Sequence, residues 1–184
     1  MTFRKLANFF DQLEKTASRN RITEILAQLM KEASLDEIAK VCYLSLGRLA
    51  PSYAGMEFNL AEKMMIRVLA QAYDQEKKEI RSKYRELGDL GDTAAFFDRK
   101  EKTKPLSVVQ THQRLWQIAA EAGSGSVERK ISQMAQLLDD LDTQSAKYVV
   151  RISLAKLRLG FSDKTMWFGV SWLLVGDKSK RLEN

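Results

Sequence analysis

Apolar side chains recur at three- and four-residue spacing along most of the chain, the pattern of helices that bury one face. Phe3, Leu6, Phe9, Phe10 and Leu13 form one such stripe, and Ile22, Ile25, Leu26, Leu29 and Met30 a second. A third helix opens on the capping box Ser34-Leu35-Asp36-Glu37, runs through Ile38, Val41, Cys42 and Leu44, and should stop near Gly47 to Pro51. Asn59-Leu60-Ala61-Glu62 reads as another capping box, ahead of Met64, Met65, Val68, Leu69 and Ala72. Gln75 to Lys83 is highly charged, a solvated helix or a linker. Gly88 to Asp92 reads as a turn, with Asp92 placed to cap a short helix holding Phe96 and Phe97, and Asp98 to Lys104 as a charged loop.

A second helical group follows Pro105. Ser107-Val108-Val109-Gln110 caps a helix bearing Val108, Leu115, Ile118 and Ala119. The tight loop Gly123-Ser124-Gly125-Ser126 leads into a helix with Ile131, Met134, Leu137 and Leu138. Lys147 to Leu159 is rich in β-branched residues, so a strand is possible there, but its spacing suits a helix better. Ser162 or Asp163 then caps a last helix with Trp167, Phe168, Trp172 and Leu173. The expectation is an all-α fold: one domain of about ten helices in two halves, about 1–104 and 105–184.

Composition changes this picture little. The 184 residues suffice for one domain with a real core, and only Pro51 and Pro105 interrupt the chain. The single cysteine, Cys42, excludes an internal disulfide and fits a reducing cytoplasm. Met1 to Phe10 is charged and periodic, unlike a secretory leader. The longest apolar stretch, Met166 to Val175, is half the roughly 20 residues of a membrane span. A cytoplasmic protein with no membrane partner is expected, nucleoid-associated if prokaryotic. Charge adds more: +6 net, with a pI near 9.4, raises the odds of a polyanionic partner.

Candidate chemistry is sparse. His112 is the only histidine, so a multi-histidine metal site is excluded, and a surface or satisfied core role is expected for it. Cys42 lies among apolar neighbours and reads as buried and inert. Asp139, Asp140 and Asp142 lack calcium-loop spacing and read as a solvated acidic turn. No phosphate loop ending in Gly-Lys-Ser/Thr occurs. Catalytic and metal-binding residues are therefore expected to be absent.

Two segments suggest anion binding instead. In the Gly123–Ser126 loop, glycines let backbone N–H groups approach a phosphate, the following helix start adds free donors, and Arg129 and Lys130 lie in its first turn. The bland alternative is a flexible helix–helix turn. The second segment, Lys147 through Lys164, holds Lys147, Arg151, Lys156, Arg158 and Lys164 around the turn Leu157 to Ser162. Its alternative is a basic solvated face.

These segments also carry a family resemblance. Tyr148-Val149-Val150-Arg151-Ile152, running into Lys156-Leu157-Arg158-Leu159-Gly160 and Ser162-Asp163-Lys164-Thr165, is similar to the signature stretch of the DNA-binding domain of archaeal and eukaryotic-type ATP-dependent DNA ligases. Phe9 to Arg19 resembles that family's opening helix and turn, and Gly47-Arg48-Leu49-Ala50-Pro51 with Tyr53 and Gly55 its third-helix exit. Gly88 to Asp92 and the Gly123 loop follow in family order. The resemblance implies a helical module of two pseudo-related halves that clamps duplex DNA across the minor groove, mainly through phosphates and without reading sequence.

By position, the implied DNA contacts are Ser124, Gly125, Ser126, Arg129, Lys130, Lys156, Arg158, Gly160 and Lys164. The implied partners are double-stranded or nicked DNA and ligase catalytic domains. The adenylation motif Lys-x-Asp-Gly is missing, so the chain is not expected to take up AMP or seal a nick alone. No cofactor is expected in it; ATP and magnesium would belong to catalytic domains that the chain lacks. An excised part, a truncated product and a free-standing accessory domain all stay open.

Met166-Trp167-Phe168-Gly169 departs from the family's less aromatic helix. Core packing is favoured there over an apolar patch awaiting a partner. The rival functions are a helical protein-interaction module with incidental charge and an RNA-binding protein, the second disfavoured for single strands by few clustered aromatics.

Overall fold

The computed structural model describes residues 1–98 and 105–175. The described residues form ten α-helices: α1 (Phe3–Glu14), α2 (Arg19–Glu32), α3 (Leu35–Ser45), α4 (Glu62–Ala72), α5 (Lys77–Leu87), α6 (Leu90–Phe97), α7 (Val108–Ala120), α8 (Ser126–Asp140), α9 (Thr143–Ser153) and α10 (Asp163–Val175). A 3₁₀ turn, Ser52–Ala54, lies between α3 and α4. Among the described residues no strand forms beyond one bridge between Thr2 and Ser107. The expected charged loop falls, after Asp98, outside the described residues, as do the side chains of Trp172 and Leu173.

Local chemistry accounts for most helix starts. The Ser34–Glu37 box forms, with the Glu37 carboxylate accepting from the Ser34 N–H at 3.1 Å. Ser107 and Gln110 make the reciprocal pair at the start of α7. Thr2, Ser18 and Asp142 cap α1, α2 and α9 by accepting backbone N–H bonds.

Three expectations are corrected. Asn59 takes a left-handed conformation (φ 51°), so its side chain caps nothing, and α4 starts after Ala61 without a side-chain cap. Asp89, not Asp92, caps α6: its Oδ1 accepts the Asp92 N–H at 2.8 Å. The helix expected over 147–159 starts earlier, at the Asp142 cap, and ends at Ser153. There the 153–156 backbone turns over, with Ala155 at φ 54°.

The early and late helices interlock. α2 packs against α10, α3 against α7, α4 against α8, and α6 and α1 against α9. One apolar core runs through all of them, with Phe3, Leu6, Phe10, Leu26, Leu29, Met65 and Tyr148 fully buried. Phe10 meets the Tyr148 ring edge to face, 5.4 Å between centroids.

The α1–α6–α9 junction is also charged. Arg151 donates to Glu14 at 2.7 Å, Asp89 at 3.0 Å and Asp92 at 3.1 Å, and Lys147 stands 3.0 Å from Asp92. The Tyr148 hydroxyl donates to Glu14 at 2.8 Å. Burial raises the Glu14 pKa, but the hydrogen bonds from Arg151 and Tyr148 and the nearby cations outweigh it and hold the carboxyl below its usual range.

Two helix crossings depend on missing side chains. A Cβ at Gly91 of α6 would lie 2.6 Å from the Lys147 carbonyl oxygen, and one at Gly169 of α10 would lie 2.8 Å from the Leu26 Cβ. The Gly91→Ala variant should therefore push α6 off α9 and lose about 1–3 kcal/mol of stability. A urea titration followed by circular dichroism reads this directly, and an unchanged midpoint would contradict the close crossing.

Candidate nucleic-acid interface

The Gly123–Ser126 loop is built from two left-handed glycines, Gly123 (φ 78°) and Gly125 (φ 73°), the second standing as the N-cap of α8. Only residues without a Cβ adopt that geometry readily, so the chain reverses within four residues. The α8 start has no side-chain cap, and Gly123, Ser124 and Gly125 are exposed. Arg129 folds back under the loop. Its Nε donates to Glu121 at 2.7 Å, Nη1 to the Ser124 carbonyl at 2.9 Å and Nη2 to the Ala122 carbonyl at 3.0 Å. Arg129 braces the loop as much as it adds charge to it.

Lys130 leaves the set of surface cations. It is 6% exposed, and its ammonium donates to the Phe58 carbonyl at 2.9 Å and the Ala119 carbonyl at 3.4 Å. The α8 spacing that exposes Arg129 turns the next residue inward, against the segment before α4.

The second loop, Leu154 to Ser162, alternates. Leu157, Leu159 and Phe161 turn toward the core, while Arg158 and Gly160 stay exposed. Gly160 is left-handed at φ 75°, with open space where a Cβ would stand. Arg158 and the exposed Lys164 have no carboxylate partner among the described residues. Lys156 contacts the Glu62 carboxylate, whose pKa is lowered first by that hydrogen bond and then by one from Tyr84. Lys147 and Arg151, read from the sequence as part of this basic segment, instead belong to the α1–α6–α9 charge junction, where Arg151 is nearly enclosed.

The second loop borders one irregular segment, residues 47–61, and the helix that follows the first loop reaches the same segment. Lys130 reaches Phe58 from the first loop's helix, and Lys156 of the second reaches Glu62 four residues further on. His112 holds the same segment from behind, its Nε2 2.8 Å from the Leu49 carbonyl. Burial is the main influence on His112 and lowers its pKa, so the ring stays neutral with Nε2–H as donor. A cleft of about 720 Å³ lies between residues 47–61 and the end of α9. A second, of about 420 Å³, is lined by Ser45, Leu46, Arg48, the 157–161 turn and the first residues of α10. Arg48 lines both and pairs with Asp163 at 3.2 Å.

Sequence reasoning marked Gly47 to Pro51 only as a helix exit and missed Arg48. The signal was an arginine directly after a left-handed glycine (Gly47, φ 71°), a position that throws the next side chain clear of the helix end.

Other readings resolve quietly. Asp142 caps α9 and Asp140 pairs with Arg114 at 2.7 Å, which accounts for two members of the acidic turn. Cys42 is half-buried, its thiol pushed up by burial and 3.6 Å from the Met30 sulfur. Among the described residues no cluster of metal-ligating side chains occurs, and no helix is long and apolar enough to cross a membrane. Core packing fails for Trp167: Met166 and Gly169 occupy the buried face of α10, and Trp167 on the other side is 73% exposed.

The fold is thus an all-α domain whose early and late helices interlock, with two glycine-bearing turns at its surface. The chain matches the DNA ligase N terminus family over residues 2–169 and belongs to it. It is 41% identical over 181 residues to a probable DNA ligase of Dictyoglomus turgidum, covering 98% of this chain and 31% of that protein. A probable DNA ligase of Aquifex aeolicus is 37% identical, with 98% and 32% covered, and DNA ligase 1 of Methanosarcina mazei 33% identical, with 97% and 31% covered. The chain thus spans about a third of the length of these relatives.

Two tests follow from the buried anchors. Lys130→Met strands the Phe58 and Ala119 carbonyls and should cost about 1–3 kcal/mol in urea unfolding. For His112, a folded-state pKa below the ordinary value of about 6.5 means the unfolded chain binds the extra proton first. Its contribution is complete above that pH and is lost as pH falls toward the folded value, well before carboxylates such as Glu14 titrate. His112→Gln, which keeps a donor, should flatten stability against pH just below 6.5; an unchanged profile would exclude a neutral buried imidazole.

Proposed function

We propose that this chain is the DNA-gripping part of an ATP-dependent DNA ligase, holding nicked or intact duplex through its phosphates and minor groove without reading sequence. The observation that carries this reading is that the helix behind one glycine-hinged loop and the other such loop both reach the chain around residues 47–62, through Lys130 to Phe58 and Lys156 to Glu62, with Arg158 and Lys164 exposed nearby. Loop amides and flanking cations suit a phosphate chain, and contacts of that kind fix position but not sequence. The halves, about 1–104 and 105–184, both contribute: the first supplies the irregular segment and the second the loops. Ser124, Gly125, Ser126 and Gly160 offer backbone or hydroxyl donors, Arg158 and Lys164 direct charge. Arg129 and Lys156 add charge while bracing the loops, and Lys130 acts from inside by fixing Phe58.

Chemistry is assigned elsewhere. Nick sealing, with its ATP and magnesium, belongs in this reading to the catalytic part of a longer ligase, because this sequence holds no Lys-x-Asp-Gly motif. A second reading, a protein-interaction module, draws on the exposed Trp167.

Fluorescence anisotropy separates the two. A phosphate clamp binds nicked and intact duplexes of two unrelated sequences alike, with log K falling against log salt by about 0.9 per phosphate engaged. Arg158→Glu should weaken binding to both sequences equally and reduce the slope by about 0.9. Loss confined to one sequence would sink the non-specific clamp, and no binding even at low salt would favour the interaction module.

A further inference from the structure

We propose that Arg48 is an additional phosphate-gripping side chain of this face, and that Asp163 occupies its guanidinium until a phosphate displaces it. The proposal rests on the duplex-binding reading above and concerns how that site is held when empty.

Arg48 follows the left-handed Gly47, and its N–H is fixed to the Tyr43 carbonyl at 2.9 Å, so the backbone that carries it is set. Its side chain stands where the two clefts meet and lines both. Two hydrogen bonds join it to Asp163: Nη1 to Oδ2 at 3.3 Å and Nη2 to Oδ1 at 3.2 Å. This fork-to-fork geometry is the one two phosphate oxygens adopt on a guanidinium, so the carboxylate holds the group as a phosphate would.

The pair is also weakly held. The Arg48 and Asp163 side chains are 40% and 56% exposed, a setting in which water competes for both and an ion pair is worth little. The neighbouring cations differ. Lys156 shares Glu62 with Tyr84, and Arg129 is tied to two carbonyls and a carboxylate. Arg48 has one exposed carboxylate, Asp163, as its side-chain partner among the described residues, and the exposed Lys164 follows that carboxylate in sequence. A phosphate drawn by Lys164 and Arg158 would meet Arg48 already oriented, and Asp163 would turn into water.

The test is a double-mutant cycle on the whole chain: wild type, Asp163→Asn, Arg48→Gln and the double variant, each titrated onto a fluorescein-labelled nicked duplex across a salt series. Thermal melts by circular dichroism establish folding first. Asp163→Ser, which retains a helix-start residue, replaces Asp163→Asn if the latter melts early.

Asp163→Asn should bind roughly two- to fivefold tighter, the worth of an exposed ion pair no longer broken on binding. Arg48→Gln should bind more weakly, with a salt slope smaller by about 0.9. The double variant should bind no tighter than Arg48→Gln. If the gain from removing Asp163 persists without Arg48, Asp163 acts only as a nearby like charge and the proposal is overturned. Unchanged affinity in Asp163→Asn overturns it too, with the clamp left standing. Absence of binding by all four proteins at low salt defeats the clamp itself, and the Arg48–Asp163 exchange with it.

Discussion

The irregular stretch between α3 and α4 has only a single 3₁₀ turn of its own, so carbonyls outside that turn need donors from elsewhere. Two of them come from side chains that would ordinarily seek water. His112 of α7 donates to Leu49, and Lys130 of α8 donates to Phe58. Burying a cation is costly unless its donors are met, and Lys130 meets two carbonyls rather than a carboxylate. Through these bonds residues 47–61 acquire a fixed course across the late helices. The clefts and the place of Arg48 depend on that course.

Charge across the domain is organised in layers. Some cations are consumed by architecture: Arg151 and Lys147 hold α1, α6 and α9 together, and Lys130 is sealed in the core. Others are braced yet open to solvent, as Arg129 is beneath its loop and Lys156 beside Glu62. Arg158 is left to solvent by the alternation of its loop, and Lys164 by its place in the first turn of α10. A net charge of +6 therefore says little about where attraction acts, because most basic side chains described here face an acid or a carbonyl. In the duplex-clamp reading, affinity comes from a small subset of the cations, aided by amides that carry no formal charge.

Much of the fold was legible beforehand because its signals are local. The stripes of α1 and α2 and the boxes at Ser34 and Ser107 act within one or two helical turns, and each formed where its spacing placed it. Failures came where a distant neighbour overrode a local motif. Asn59 has the right residue three places before Glu62 for a capping box, yet Glu62 is engaged by Lys156 from across the domain. The stripe after Tyr148 continues past Ser153 because the loop also buries alternate residues, and periodicity alone does not separate a buried loop from another helical turn. Trp167 looked like core, but α10 crosses α2 on Gly169, and that close approach turns the indole outward.

The sequence by itself determined that this is a helical domain with two glycine-hinged basic loops, and it carried the ligase resemblance, because caps, stripes and glycine turns are written in neighbouring residues. Tertiary structure alone decided which basic side chains remain available to a phosphate. Lys156 meets Glu62 across 94 positions, Arg48 meets Asp163 across 115, and Arg151 meets Glu14 across 137. No local pattern encodes those pairings; they exist only once the early and late helices have packed against one another.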